Sequence, residues 1–374
     1  MYPHFILKYG NGNACRSILE SMKENGADVQ LFCISANTDV IKSFYKMLFP
    51  FRLGFIACRI FSHSMLGRLV EWRYQLSLRG GDVAYIWPDS SLSLLHQIKK
   101  QHLIIVLEFI NTHQKSAKRV LDMEYRMLSL PPTHLIGPES IDHEQAAIDL
   151  ADYIFCPSHE VAESLINVGV SDEKLIRTSY GLSSKDILPL NDVLARNHRE
   201  PETAIFVGEI GIRKGVHLLL QSWVKANVTG VLKLVGSFEE GARHLIEPFL
   251  DTENIIHIPF TDDLVSVYKD ADIFLFPSLE EGSPLVTYLA SGAGLPSIVS
   301  SMGSGGIVSH GREGLVIDPH DTDAWADAIK RLFSDTCLRQ KLAHAAYEKA
   351  PRYLWRNVGR QRLKLLRERI GGNN

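Results

Sequence analysis

The stretch 273–299, IFLFPSLEEGSPLVTYLASGAGLPSIV, constrains the fold of this chain more than any other segment. Its apolar beginning ends at Pro277 and leads into a short loop with two acids and a glycine. The pattern predicts a helix that starts near Pro284 and ends by Gly292–Gly294, and a second apolar strand follows that helix. Strand, loop, helix and strand in this order are typical of an α/β domain with a parallel sheet.

The predicted helix start offers groups that would bind an anion and a sugar side by side. Pro284 suits the first turn of a helix, where its missing N–H costs nothing. The amides of Leu285 and Val286 would then point at a phosphate, together with the positive end of the helix. Glu280 or Glu281 would accept hydrogen bonds from sugar hydroxyls. This combination fits a nucleotide-sugar, although an ordinary strand–loop–helix connection explains the same residues.

The segment PSLEEGSPLVTY…GLPSIV resembles the donor-binding signature of glycosyltransferase family 4, whose members have the GT-B fold and retain the anomeric configuration. The family usually carries two glutamates eight positions apart, and here Glu281 stands at the first position and Leu289 at the second. The resemblance implies that Glu281 orients the donor hydroxyls and that Gly282 and Ser283 lie at the donor site. Because the second glutamate of the family holds the ribose, Leu289 leaves ribose recognition open.

A second loop, after the predicted strand 204–208, places two cations side by side. Arg213 can hold a phosphate through two hydrogen bonds, and Lys214 supplies a compact charge. A solvated loop explains the pair equally well, but FVGEIGIRKGVHLLL resembles the diphosphate-binding segment of the family. The resemblance implies that Gly208, Arg213 and Lys214 contact the donor. Many members have an arginine where Glu209 stands, and Arg213 would replace it.

The N-terminal half begins with a β-α-β pattern: a strand at 5–9, a turn at 10–13, a helix at 15–24 and a strand at 29–34. The turn is not GxGxxG, so it predicts no dinucleotide fingerprint. A plain tight turn explains its glycines. The resemblance implies instead that this loop, with Gly12, closes over the donor diphosphate or the acceptor.

His113 follows the predicted strand 103–109, and ligands bind at the carboxyl ends of strands in open α/β sheets. A lone loop histidine is more often structural or simply exposed. The region resembles the N-terminal histidine loop of the family, which implies that His113 contacts the donor sugar and its phosphate. Glu124 and Tyr125, on the next predicted helix, would form part of the same cleft wall.

The segment 42–79 is basic and aromatic, and charges interrupt every apolar run. Such a segment can lie in an anionic membrane interface, and the acceptor would then be lipid-linked. Its apolar side can equally pack in the N-terminal core. Glu71 is the single acid among seven basic residues: Lys42, Lys46, Arg52, Arg59, Arg68, Arg73 and Arg79.

The length of 374 residues suffices for two domains. We expect an α/β protein of the GT-B type, in which two Rossmann-like domains face each other across a cleft. The expected ranges are an acceptor-binding domain at 1–185, a linker at 186–202, a donor-binding domain at 203–352 and a helix at 353–374 that returns to the first domain.

Composition narrows the class of function. A net charge of −3 gives no case for nucleic-acid binding. The five cysteines form no CxxC pair, and no signal peptide is recognised, which favours a reducing cytoplasm. The histidines form no HExxH or Cys/His array, so we expect no metal site.

The resemblance, together with these observations, implies a retaining, metal-independent glycosyltransferase without a cofactor. Its donor would be a UDP- or GDP-linked sugar, and its acceptor a glycan or lipid-linked molecule of a bacterial capsule, lipopolysaccharide or exopolysaccharide. The enzyme would be cytoplasmic, with the inner face of the membrane as a further location. The alternative is a catalytically silent GT-B protein that binds a sugar or a partner, and Leu289 and Glu209 favour it.

Overall fold

The computed structural model describes residues 1–7, 10–37, 43–197 and 202–371. The chain divides into two units. The first comprises residues 1–114, 136–179 and 355–374, and the second comprises 115–135 and 180–354. Residues 115–135 thus pack with the second unit, whereas the sequence-based ranges assign them to the first domain.

The elements up to residue 177 belong to the first unit, except that α5 belongs to the second from residue 115 onward. They are β1 (Phe5–Ile6), α1 (Gly10–Glu24), β2 (Leu31–Cys33), β3 (Ser35–Ala36), β4 (Tyr45–Met47), α2 (Phe51–Ile60), α3 (His63–Ser77), β5 (Val83–Ile86), α4 (Leu92–Lys100), β6 (Ile104–Glu108), α5 (Gln114–Met127), α6 (Pro138–Leu150), β7 (Tyr153–Cys156), α7 (His159–Ile166) and β8 (Leu175–Arg177).

Parallel pairing joins these strands. β5, β6, β7 and β8 form a four-stranded sheet in that order, and β1 pairs with β3 and β2 with β4. The N-terminal residues connect the two-stranded sheets to the four-stranded sheet. Tyr2 N donates to Phe32 O at 3.0 Å, and Met1 O accepts from Trp87 N at 3.1 Å. Two hydrogen bonds of the N-terminal residues thus tie these separately paired strands together.

The next elements, except for the last, build the second unit. They are α8 (Leu190–Asn197), β9 (Thr203–Val207), α9 (Val216–Ala226), β10 (Val231–Val235), α10 (Arg243–Leu250), β11 (Ile255–Ile258), α11 (Leu264–Lys269), β12 (Ile273–Phe276), α12 (Leu285–Gly292), β13 (Ser297–Val299), β14 (Gly314–Val316), α13 (Thr322–Ser334), α14 (Thr336–Lys349) and α15 (Trp355–Gly371), which lies in the first unit.

The sheet of the second unit is parallel throughout, with strand order β11-β10-β9-β12-β13-β14. Counted within the unit, this is the order 3-2-1-4-5-6 of doubly wound α/β folds. The strand order reverses between β9 and β12, where Ala204 lies opposite Ile273. Ligands of such sheets bind outside the carboxyl ends of the strands at this reversal, so the loops after β9 and β12 are where a ligand is expected.

α15 packs on α1 in the first unit. Gly359 permits the close approach, because a Cβ there would lie 2.4 Å from the Cβ of Ser21. Farther along α15, the fully buried Arg362 pairs with Glu108 at 2.7 Å and donates to Ser179 O at 3.0 Å. A buried charge is tolerated only with such partners, so this pair helps to fix where the helix lies.

One local prediction is wrong. Residues 10–13 were expected to form a turn, but α1 begins at Gly10, and Gly12 lies against β1, where a Cβ would be 3.1 Å from Ile6 Cα. Close packing on the strand thus outweighs the low helix propensity of glycine. The expected linker contains α8, whose Arg196 donates to Ala293 O. Lys8 and Tyr9, predicted to end the first strand, lie outside the described residues.

Candidate functional site

The two loops at the strand-order reversal contact each other. We call 208–215 the β9 loop and 277–284 the β12 loop. Leu279 N donates to Arg213 O at 2.9 Å. Gly215 has φ +67°, and a Cβ there would stand 2.3 Å from Pro277 O, so the position requires glycine on both counts. Gly208 N donates to Val235 O at 2.9 Å, which ties the start of the β9 loop to β10.

Where these two loops touch, the two cations predicted from the sequence form ion pairs with the two predicted acids. Arg213 Nη2 lies 2.7 Å from Glu280 Oε2, and Lys214 Nζ pairs with Glu281 Oε1. Both carboxylates are buried, whereas the Arg213 side chain is one third exposed. Burial alone would lower the pKa of Arg213, but Glu280 and Glu281 outweigh it and hold that pKa above its usual value. The guanidinium therefore stays charged, and part of the Arg213 side chain is exposed.

The start of α12 lies at the end of the β12 loop. Pro284 is the N-cap residue with an extended backbone, one position earlier than the first-turn site that its sequence predicts. The amides of Leu285 and Val286 are then the first two of the helix and have no acceptor within it. Leu285, Val286 and Leu289 are the half-buried residues of α12, and the others of this helix are buried. Leu285 and Leu289 therefore lie one turn apart on the least buried side of the helix, and its first amides point out of its N-terminal end.

Ser283, predicted to bind the donor, uses its hydroxyl within the protein. Its Oγ lies 2.8 Å from Tyr288 Oη and 3.3 Å from Gly305 O, and Tyr288 Oη donates to Gly305 O at 2.6 Å. Thr287 Oγ1 donates to Gly303 O at 2.7 Å. These bonds fix the β12 loop to the segment 300–306. Gly282 lies between Glu281 and Ser283 and is buried.

Sequence analysis missed Ser278, the residue after the strand-ending proline. Its buried Oγ lies 3.4 Å from both Glu281 Oε1 and Arg213 O. Its carbonyl accepts a hydrogen bond from Ser300 Oγ at 2.6 Å. Ser278 thus connects the two loops and the Glu281 carboxylate. The signal for this residue in the sequence is a small hydroxyl side chain directly after a strand-ending proline.

Sequence analysis also missed Glu239, which holds the β9 loop from its other side. Glu239 Oε2 accepts from Ile212 N at 2.8 Å, and Oε1 accepts from Tyr125 Oη at 2.5 Å and from Thr133 Oγ1 at 2.6 Å. Gly211 leaves room for the carboxylate, since a Cβ there would be 2.1 Å from Glu239 Oε2. No local sequence pattern signals this contact.

Glu124 was predicted to line the ligand cleft, and the structure shows it buried between two histidines of the second unit. Its two oxygens lie 2.7 Å from His217 Nε2 and 2.7 Å from His320 Nε2. Burial alone would raise the pKa of Glu124, but the hydrogen bonds from both histidines outweigh it and hold that pKa below its ordinary value. Because His217 is the second residue of α9, Glu124 anchors the helix that follows the β9 loop.

His113 and Gly12 lie in the first unit and contact residues of that unit. His113 is 1% exposed, its backbone N donates to Ser164 Oγ at 2.9 Å, and its Nε2 lies 3.4 Å from Glu144 Oε2. Gly12 is buried inside α1. A donor-contacting role for His113 and Gly12 stays a prediction from resemblance.

The described residues form neither a metal-ligand cluster nor a membrane-spanning helix. In 1–7, 10–37, 43–197 and 202–371, no group of three or more His, Cys, Asp or Glu residues is arranged to hold a metal ion. Within the same ranges, each helix is too short or too polar to cross a membrane.

The family match lies within the second unit. Residues 201–335 match the family described as Glycosyl transferases group 1. D-inositol 3-phosphate glycosyltransferase of Corynebacterium glutamicum is 28% identical over 256 residues, which are 62% of this chain and 60% of that relative. The chain therefore spans less than two thirds of the length of this curated relative.

Solved structures match over both units. Sucrose-phosphate synthase from Thermosynechococcus elongatus gives a TM-score of 0.72 over 100% of each chain at 18% identity. The Anabaena protein HepE in complex with UDP-glucose gives a TM-score of 0.65 over 98% of this chain and 99% of its own, at 14% identity. The expected fold and resemblance are thereby confirmed: the chain has the GT-B fold and is similar to the family 4 glycosyltransferases.

Proposed function

We propose that this protein is a retaining glycosyltransferase that moves a sugar from a nucleotide-sugar to a glycan or lipid-linked acceptor. One observation carries the proposal: Arg213 and Lys214 meet Glu280 and Glu281 at the strand-order reversal, beside the first amides of α12. Cations and helix-start amides stabilise the negative charge that builds on a departing diphosphate. In this proposal the two cations provide that charge without a metal ion.

The proposed reaction proceeds on one face of the donor sugar. The bond from the anomeric carbon to the diphosphate oxygen breaks with its electron pair, which remains on the diphosphate. The acceptor oxygen bonds to the same face, and its proton passes to the departing phosphate. Glu281 orients the donor hydroxyls, so that it contributes positioning and not a covalent intermediate. His113 would contact the sugar from the first unit.

The donor and acceptor are proposed at the level of chemical class. HepE binds UDP-glucose, which supports a UDP-linked donor, and a GDP-linked sugar is the alternative. The relative from Corynebacterium glutamicum is named for an inositol 3-phosphate acceptor, which supports a phosphorylated polyol at the acceptor site. We place the enzyme in bacterial surface polysaccharide synthesis in the cytoplasm. A lipid-linked acceptor would bring it to the inner face of the membrane.

The test combines two variants with a panel of nucleotide-sugars. We expect Lys214→Ala and Glu281→Ala each to abolish transfer, read by mass spectrometry, while circular dichroism shows an intact fold. Lys330→Ala, an exposed cation on α13, is the matched control and should transfer as the wild type does. Rates close to wild type in both site variants would end the proposal.

The second candidate is a catalytically silent GT-B protein, which Leu289 and Glu209 favour because they stand where the family carries a glutamate and an arginine. Calorimetry with the same panel separates the two. Tight, nucleotide-dependent binding with slow hydrolysis supports the enzyme, and no binding to any member supports the silent protein.

A further inference from the structure

Helix α2 of the first unit buries its small residues and exposes its large apolar residues. Its buried residues are Gly54 and Ala57, and a Cβ on Gly54 would lie only 2.8 Å from the Cβ of Ser35. Its large apolar residues point outward instead. Ile60 is 70% exposed, and Leu53, Phe55 and Ile56 are each more than half exposed. Packing in the core therefore does not explain why α2 carries these large apolar residues.

Helix α3 continues the same surface. Leu66, Val70 and Tyr74 face the core, so the helix is anchored by one side. The opposite side carries an exposed apolar row with spacing i, i+4, i+7 and i+11, which follows one face of a helix. Its members are Met65, Leu69, Trp72 and Leu76. We call the outward side of both helices, with Phe61 between them, the α2–α3 surface.

Charge on the α2–α3 surface has one sign. Four exposed arginines lie among the apolar residues: Arg52, Arg59, Arg68 and Arg73. The acid of these two helices, Glu71, is buried and accepts hydrogen bonds from Ser91 N at 2.7 Å and from Ser91 Oγ at 2.6 Å. The two helices therefore present cations and apolar groups without an exposed carboxylate. Lys42, at the start of the predicted basic segment, lies outside the described residues.

We propose that the α2–α3 surface docks the protein on an anionic lipid bilayer. Arginines interspersed with tryptophan, phenylalanine and leucine suit the boundary between headgroups and acyl chains. A second copy of this chain fits less well, because pairing the surface with itself would set arginines against arginines. Docking would bring the first unit to the membrane, and, if the proposed function holds, the acceptor is a lipid whose headgroup receives the sugar.

The experiment is co-sedimentation of the full chain with phosphatidylcholine vesicles, with and without phosphatidylglycerol. We expect binding that needs phosphatidylglycerol and weakens with added salt. Replacing Arg52, Arg59 and Arg68 together with Gln should weaken it about a hundredfold, since each surface arginine contributes about a fivefold factor. The matched control makes the same change to Gln at three exposed cations of the second unit, Lys330, Arg331 and Lys341. It should bind the vesicles as the wild type does.

An apolar variant separates docking from simple charge attraction. Replacing Ile60, Trp72 and Leu76 with Ser should abolish binding, whereas the same change at Met123, Met127 and Val224, which are exposed apolar residues of the second unit, should not. Binding that persists in either α2–α3 variant overturns the proposal. The proposal is also overturned if analytical ultracentrifugation shows a dimer for the wild type and a monomer for the Ser variant. Nucleotide-sugar binding, measured by calorimetry without vesicles, tests the proposed function separately.

Discussion

Lys214 and Glu281 form an ion pair although 66 residues separate them in the chain, because each lies in one of the two loops at the strand-order reversal of the second unit. The pair shows that a cation predicted for the diphosphate and an acid predicted for the sugar occupy one place. If a nucleotide-sugar binds there as proposed, it would meet both groups at once.

The close approach of the two loops can be tested at Gly215. We expect Gly215→Ala to destabilise the protein by about 3 kcal/mol, because it adds a clash with Pro277 O to a left-handed backbone. Gly311→Ala is the control, since its φ is +74° and nothing lies within 4 Å of the added Cβ. It should cost about 1 kcal/mol. Urea unfolding measures both, and equal losses would contradict a contact between the loops.

Arg213 and Glu280 should depend on each other for stability. Arg213→Gln removes a cation that pairs with the buried Glu280, and we expect a loss of about 2 kcal/mol, reduced from the fully buried case because Arg213 is one third exposed. The double variant Arg213→Gln, Glu280→Gln should recover part of that loss. A double-mutant cycle of unfolding free energies measures the coupling, and additive losses would show that the pair is not coupled.

Leu289 offers a gain-of-function test. It lies one turn after Leu285 on the half-buried side of α12, where the family carries its second glutamate. If a nucleotide binds as proposed, Leu289→Glu should tighten nucleotide binding about tenfold through hydrogen bonds to the ribose hydroxyls. Calorimetry compares it with Leu289→Gln, which keeps the length without the charge. Weaker binding in the Glu variant would place the ribose elsewhere.

Glu124 gives a pH-dependent contribution to stability. Its pKa is lowered in the folded protein, so its contribution is fully present above its ordinary value of 4.5 and is lost as the pH falls below that value. We expect Glu124→Gln to be less stable than wild type at pH 7, with the difference shrinking as the pH approaches 3. Urea unfolding across this range measures it. A difference independent of pH would mean that the carboxylate charge is not involved.

The strand before Pro277 and the helix after it could be predicted for a local reason. The β12 loop and the start of α12 lie within ten residues of each other, and the apolar run before Pro277 marks the strand that leads to them. The one-position error at Pro284 arises because proline is compatible with both the N-cap and the first turn.

Contacts between distant segments could not be predicted in the same way. Glu239 receives bonds from Tyr125 and Thr133, and nothing near Glu239 in the chain indicates those partners. The helical start at Gly10 was missed for a related reason, since packing of Gly12 on β1 decides it and glycine propensity points the other way. Burial of His113 likewise depends on α6 and α7, which supply Glu144 and Ser164.

The chain passes from one unit to the other at 114/115, 135/136, 179/180 and 354/355. No single cut can therefore release an intact second unit, because a fragment starting at Tyr180 would leave His217 and Glu239 without the partners that residues 115–135 provide. Exchange of the whole second unit between proteins of this fold would have to carry residues 115–135 along with residues 180–354.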